Sequence, residues 1–403
     1  MPIPLTRRRL MGFAASGGAA AMLPGCAGPD RGPGVPMGDA KHASVLGIPN
    51  ERFFPLSGVG PLEAEFVDAV GRLHRTLGIP AAQAIPELQL LAISGGGENG
   101  AFGAGLLCGW TEHGGRPIFE LVTGISAGSL IAPFAYLGPD YDPQLSTVYT
   151  QLTPEKVLTK RGFTAALFDD ALTDNQPLFK TISNYMTDEI VVAMGKAYDQ
   201  GRLLLVASTD LDAQQPVFWN IGAIARSSHP QARDTICRIL LASAAMPGIF
   251  PPSMIDVTFD GKRYQEMHVD GGAIAQTFLY PESVMRLRRE RIARGEQVLQ
   301  LKAYVIRNGR LDPEWADVER RTLPIAERAI ATMTTGSGFN DVLRIYSNTQ
   351  RDDVGFNLAY IDIDFTMKLP QPFDPGYMRA LYDYGYQRGR AGYVWAHKPP
   401  FLS

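Results

Sequence analysis

Phe119-Glu120-Leu121-Val122-Thr123-Gly124-Ile125-Ser126-Ala127-Gly128-Ser129-Leu130 is the stretch on which the reading of this chain turns. Residues 119–123 form a short apolar run containing Phe and Val, which suit a buried strand, and a helical run follows directly. Between the two lies Gly124-x-Ser126-x-Gly128, the G-x-S-x-G nucleophile elbow, a turn so sharp that its serine takes a strained backbone conformation. Glycine is needed at both flanks because a Cβ there would collide with the neighbouring strand or helix. The turn lifts the Ser126 hydroxyl above the sheet, at a helix N-terminus where the dipole favours developing negative charge.

Upstream, Leu88-Gln89-Leu90-Leu91-Ala92-Ile93 is the kind of short apolar run found in a doubly covered parallel strand. Ser94-Gly95-Gly96-Gly97-Glu98-Asn99-Gly100 follows, and a helix is expected from about Ala101 to His113. Gly103, Gly105 and Gly109 weaken that helix by roughly 1 kcal/mol each relative to alanine, which implies close backbone approach to the sheet or to the elbow helix. Gly95-x-Gly97-x-x-Gly100 has two readings. As a dinucleotide fingerprint it calls for an acid about twenty residues on, where Glu120 stands. Glu120, however, opens the second strand, whereas a ribose-binding acid closes it. As an oxyanion hole, the loop offers the backbone N–H groups of Gly95, Gly96 and Gly97 to one oxygen.

Downstream, Leu203 to Ala207 reads as a buried strand, Val217 to Trp219 as another, and Thr235 to Ala245 as an apolar helix ending near Met246-Pro247. Ile255–Phe259 and Lys262–Asp270 flank Asp260-Gly261, a β-hairpin pattern. The second strand puts His268 and Asp270 on one face and closes in Asp270-Gly271-Gly272. His113, His229 and His268 are the histidines a catalytic triad could use. His268 lies one strand repeat, roughly 7 Å, from Asp270, too far for a His–Asp hydrogen bond, and reads as structural. A charged helix over 282–294, strands near 300–306 and 356–362, and a largely helical 323–351 complete an alternation that argues α/β layers. Residues 139–200 read as mixed, with helices and no clear chemistry.

The whole chain has 403 residues, enough for a large core, and a formal charge of -3, with no basic face for nucleic acid. Cys26, Cys108 and Cys237 lack metal-ligand spacing; the last two fall in apolar helical stretches and read as buried thiols. Thr6-Arg7-Arg8-Arg9-Leu10-Met11 is a twin-arginine-like charged region, and Met11 to Leu23 is too short and weakly apolar to span a bilayer. Leu23-Pro24-Gly25-Cys26 resembles the bacterial lipobox, which implies cleavage after residue 25 and acylation of Cys26. The chain then divides into a signal peptide over 1–25, a lipid-anchored flexible tether over 26–60, a helical lead-in over 61–87 and one catalytic domain over 88–400. The expected location is the bacterial cell envelope, with the protein anchored to a membrane at Cys26.

Gly95-Gly96-Gly97-x-x-Gly100, Gly124-x-Ser126-x-Gly128 and Asp270-Gly271-Gly272 occur in the order and context of the patatin-like phospholipase family. Ala242-Ser243-Ala244-Ala245-Met246-Pro247-Gly248-Ile249-Phe250-Pro251-Pro252 also resembles the family's proline-rich segment before the aspartate. The resemblance implies a three-layer α/β/α fold with a mostly parallel central sheet. It implies a Ser–Asp dyad hydrolase of phospholipid or lysophospholipid acyl esters, without cofactor or metal. Ser126 would be the nucleophile, Asp270 the general base and the glycine loop the oxyanion hole. Many members carry a basic residue before the last glycine of that loop; here it is Asn99. Acyl transfer or general carboxylesterase activity on the same site, and a non-catalytic lipid-binding lipoprotein, are the alternative readings. The sequence leaves headgroup, chain length and oligomeric state open.

Overall fold

The structure, a computed structural model, describes residues 31–80, 87–161, 169–296 and 298–402. The segment expected to be a signal peptide, and Cys26, lie outside the described residues. In chain order the strands are β1 (Arg52–Phe53), β2 (Leu88–Ile93), β3 (Leu121–Ile125), β4 (Thr159–Lys160), β5 (Thr173–Asp174), β6 (Leu203–Asp210), β7 (Gln215–Asn220), β8 (Ser253–Phe259), β9 (Lys262–Asp270), β10 (Leu301–Arg307) and β11 (Gly355–Tyr360). The α-helices are α1 (Gly60–Leu77), α2 (Gly100–Glu112), α3 (Ala127–Leu137), α4 (Asp142–Thr150), α5 (Pro154–Val157), α6 (Gln176–Tyr185), α7 (Asp188–Asp199), α8 (Ile221–Arg226), α9 (Ala232–Ser243), α10 (Arg286–Ala293), α11 (Thr322–Arg351) and α12 (Pro375–Arg390). Among the described residues no helix is long and apolar enough to cross a membrane.

The central sheet follows from strands that are apolar on both faces. Its order is β1-β7-β6-β3-β2-β10-β11, with β9 also paired to β6 and β8 to β9. β6, β3, β2, β10 and β11 run parallel, while β7, β1, β9 and β8 join antiparallel. Alternation along β2 sends Leu90 and Ala92 to one face, with Leu62 of α1 and Val342 and Ile345 of α11. Leu91 and Ile93 go to the other, with Leu106 and Leu107 of α2 and Ile131 of α3. Helices therefore cover both faces, which makes the molecule a three-layer α/β/α structure.

The flexible tether expected over 26–60 is, from residue 31 on, docked to the body. Pro33 O accepts from Gln265 N at 2.9 Å, Ser44 bridges to Thr258, and β1 adds antiparallel to β7. Its anchor is the buried pair Glu51-Arg52. Glu51 accepts from Ser44 Oγ and from the Val45 and Leu46 N–H groups, and Arg52 Nη1 lies 2.5 Å from Glu266 Oε2 on β9. Glycine and proline content signalled a free run; two charged side chains, each with a buried partner, override it.

The glycines of α2 do mark close approach, but chiefly to another partner. A Cβ on Gly105 or Gly109 would stand 2.0 or 2.1 Å from the carbonyl oxygens of Tyr382 or Tyr386 in α12, and Gly385 and Gly389 answer from the other side. A Cβ on Gly103 would meet Asn308 Oδ1 at 2.5 Å. The elbow helix is not the element these three glycines admit.

Candidate active site

The sheet register brings the elbow and the hairpin end together. β3 pairs with β6 from Leu203 to Ala207 and stops at Ile125, opposite Ala207. β7 occupies the other edge of β6, so β9, pairing at Ser208–Asp210, continues along the edge that β3 has left. Asp270, opposite Ser208, thus arrives head-on to Ser126, the residue after Ile125.

Ser126 caps α3 with φ 53 and ψ -125, a conformation that a non-glycine residue rarely adopts. A Cβ on Gly124 would lie 2.5 Å from Gly128 O, and one on Gly128 2.2 Å from Ile93 O, so both flanks must be glycine. The Ser126 N–H donates to Ser243 Oγ at 3.0 Å, and Ser243 Oγ donates to Ala207 O at 2.7 Å. Asp270 N donates to Ala245 O at 2.9 Å. The end of α9 and the residues just after it therefore hold both residues, Ser243 through its side chain and Ala245 through its backbone.

Asp270 is 4% exposed. Burial pushes its carboxyl up to about 6, against the pull of hydrogen bonds from the Ser126 hydroxyl and the Gly272 N–H, the latter 2.7 Å from Oδ1. A carboxylate so placed is a stronger base than one in water and touches the hydroxyl it would deprotonate. A Cβ on Gly271 would stand 2.6 Å from Ala207 O, so this turn, too, is confined to glycine.

Ser126 opens on an apolar cavity of about 820 Å³, its mouth included. α3, α4, α6 and α9 supply its walls through Leu130, Tyr149, Ile182 and Leu240, and Phe373 and Met378 cover it from the C-terminal side. Val148, Tyr149, Leu152, Val157, Leu178 and Ile182, in a stretch that read as mixed and without clear chemistry, thus form much of the apolar wall beside the serine.

Residues 91–280 match the family model of patatin-like phospholipases. The chain carries a patatin-like phospholipase domain. A domain of that family points to hydrolysis of lipid acyl esters as the class of reaction. Among solved structures, VipD from Legionella pneumophila is similar, at 12% identity over 77% of this chain and 68% of that one, with a TM-score of 0.39. No curated protein matches.

Within the patatin-like domain the glycine loop differs from the expectation in one respect. Gly95 N already donates to Gln276 O at 2.9 Å, so it is no donor for an oxyanion. Gly95 stays glycine because a Cβ would press on Ser126 Cβ at 3.1 Å. Gly96 (φ 156) and Gly97 (φ 56) have N–H groups that donate to no other described residue, and Gly97 lines the cavity with Ser126. Gly100 packs against Tyr149 and Ala127, where its Cβ would lie within about 3 Å of both. Asn99 Oδ1 accepts from Tyr377 Oη at 2.7 Å.

Glu120 sits at the opposite end of β3 from the loop and accepts from Gln89 N at 2.6 Å, far from where a ribose-binding acid would be needed. The three histidines are turned to other partners. His113 Nδ1 meets Arg390 O, His229 Nδ1 meets Gln231 N, and buried His268 bonds Ser208 Oγ at 2.9 Å and Glu266 Oε2 at 3.1 Å. Asp210, Glu266 and His268 bring possible metal ligands within 4.8 Å of one another, but Arg52 already supplies a cation to Glu266 there. Cys108 and Cys237 are buried free thiols, and burial pushes Cys108 up to about 12. Sequence reading missed Ser243, although it sits inside the motif quoted for the family; a buried serine two residues before Ala245 was its signal.

Proposed function

We propose that this chain is a serine lipid acyl hydrolase working through a Ser126–Asp270 dyad. The observation that carries it is the head-on meeting of the elbow and β9, which sets a buried Asp270 carboxyl against Ser126 at the mouth of an apolar cavity. Ser126 Oγ attacks the ester carbonyl carbon while its proton passes to Asp270, and the carbonyl π pair moves onto oxygen. The Gly96 and Gly97 N–H groups receive that oxyanion. Collapse expels the alcohol, which takes the proton from Asp270 and leaves an acyl-Ser126. Water, deprotonated by Asp270, then attacks the acyl carbon, and collapse frees the fatty acid as Ser126 Oγ takes the proton back from Asp270. The cavity is placed to hold an acyl chain, and the family match favours phospholipids and lysophospholipids as the substrate class.

The test is purified protein against phospholipids, lysophospholipids and triglycerides, with Ser126→Ala as blank. Fatty acid release by the wild type and not by the variant is expected; equal release by both would end the proposal. The reading also includes export and anchoring at Cys26. Cys26→Ser should leave the protein unlabelled by radioactive palmitate and free of membranes, because the acyl chain is what holds it there; a wild type that takes up no label would refute the anchor.

A further inference from the structure

β10 ends in Arg307, and the chain turns there through Asn308 and Gly309. β10 is the parallel neighbour of β2, with Ile306 opposite Ile93, so Arg307 emerges beside the glycine loop. Arg307 is 6% exposed, and no carboxylate among the described residues lies within ion-pair distance of it. Nε has no partner at all. Nη1 donates to Ser94 Oγ at 3.2 Å and to Gly95 O at 3.3 Å. Burial pushes its pKa down to about 10, with only the attraction of Asp341 opposing. The Asp341 oxygens are already taken by Gln276 N, Thr277 N and Arg344 Nη2. A buried cation without a counter-charge is costly, and such groups persist where they act.

The carbonyl it reaches belongs to the peptide that ends in the Gly96 N–H. Ser94 Oγ donates to that same Gly95 oxygen at 2.7 Å. In a trans peptide the C=O and N–H point to opposite sides, so a carbonyl turned towards Arg307 turns the Gly96 N–H away from it. Donation to the carbonyl polarises the peptide and strengthens its N–H as a donor, by about 10–30% per bond.

We propose that Arg307 is a positioning residue of the acyl-transfer site: it fixes and polarises the Gly95–Gly96 peptide, and its unpaired charge is balanced by the oxyanion formed in the transition state. This rests on the hydrolase reading above. The loop's own position for a basic side chain holds Asn99, and the cation comes instead from a strand far along the chain. Gly309 and Gly338 make room for it. A Cβ on Gly338 would lie 2.7 Å from Arg307 Nη2.

The experiment measures kcat and KM on a 4-nitrophenyl acyl ester, and inhibition by a trifluoromethyl ketone of the same chain length, which Ser126 converts to an oxyanionic adduct. Arg307→Gln should lose kcat by roughly 10²-fold with KM within about twofold, and its affinity for the ketone should fall in step. Arg307→Lys should regain most of both. Gly338→Ala retains the charge but forces the guanidinium off Gly95 O, and should lose kcat by about tenfold with a matching loss of ketone affinity. A folded Arg307→Gln that turns over like wild type, or that loses rate while binding the ketone undiminished, overturns the proposal. Should Arg307→Gln not fold, Gly338→Ala decides: wild-type kcat and ketone affinity there overturn it. A wild type without Ser126-dependent hydrolysis refutes the hydrolase reading itself, a result distinct from wild type and Arg307→Gln being equally active.

Discussion

Asp270 carries two pH effects that run in opposite directions. As a base it must be ionised, so kcat/KM should fall about tenfold per pH unit below about 6, the value to which burial raises it. As a buried acid it favours the protonated form when folded. Its folded carboxyl titrates near 6 against 3.8 for an ordinary aspartate, so the folded state holds the proton more tightly. The stability this gives is whole below pH 3.8 and is lost as pH rises through 6, a swing of about 3 kcal/mol. Asp270→Asn should therefore be inactive yet melt higher than wild type at pH 8, with the advantage gone at pH 3.5; equal melting at pH 8 would show that the carboxylate carries no burial penalty. Ser126 stores strain in its φ of 53, which glycine would relieve. Ser126→Gly should be more stable than Ser126→Ala by about 1 kcal/mol in denaturant titration. At this scale the sequence was legible where chemistry sits in a local motif. Ser126, Asp270 and the loop glycines could be read because each stands in a short pattern. Arg307 could not, because its partner Ser94 is 213 positions away and nothing local marks it.

The elements were legible where apolar periodicity is strong. β2, β3, β6 and the β8–β9 hairpin with its Asp260-Gly261 turn lie within a few residues of their expected bounds. α12 was not foreseen, because Gly376, Gly385 and Gly389 lower its helix propensity. Two of those glycines exist for contact with α2, which only the folded pair makes visible. Gly109→Ala would place a Cβ 2.1 Å from Tyr386 O and should cost 1–3 kcal/mol or more as the helices separate. Gly71→Ala on α1 meets nothing closer than Arg75 Nη1 at 3.7 Å and should instead stabilise by up to about 1 kcal/mol. Thermal melts of the two variants, moving in opposite directions, are the expected outcome; the same direction for both would refute the account.

For the molecule as a whole, the N-terminal arm is tied to the catalytic strand. Burial opposes ionisation of Glu266, but the hydrogen bond from His268 and the Arg52 guanidinium outweigh it and hold its carboxyl below the usual range. A lowered carboxyl contributes stability that is present above the unfolded pKa and lost as pH falls through the folded one. Arg52→Met leaves Glu266 buried without its cation, and should cost about 3–5 kcal/mol. Because β9 ends at Asp270, the same change should lower kcat even in the fraction that stays folded; an Arg52→Met protein with wild-type melting and rate would show that the arm is only a covering. Glycine and proline in residues 27–39 suggested a free tether, and the buried pair at Glu51-Arg52 outweighs that signal in the fold.

The place of β10 beside β2 has a consequence for the timing of synthesis. The family match ends at residue 280, so a ribosome that has made it has made Ser126, Asp270 and the glycine loop. The sheet at that moment still lacks β10 and β11, the loop lacks Asn308 and Arg307 to hold it, and α2 lacks α12. Ser126, Asp270 and the glycine loop can therefore take up the arrangement of the folded protein only after the last third of the chain has been made and has docked, so assembly of the site is the last event of synthesis rather than an early one.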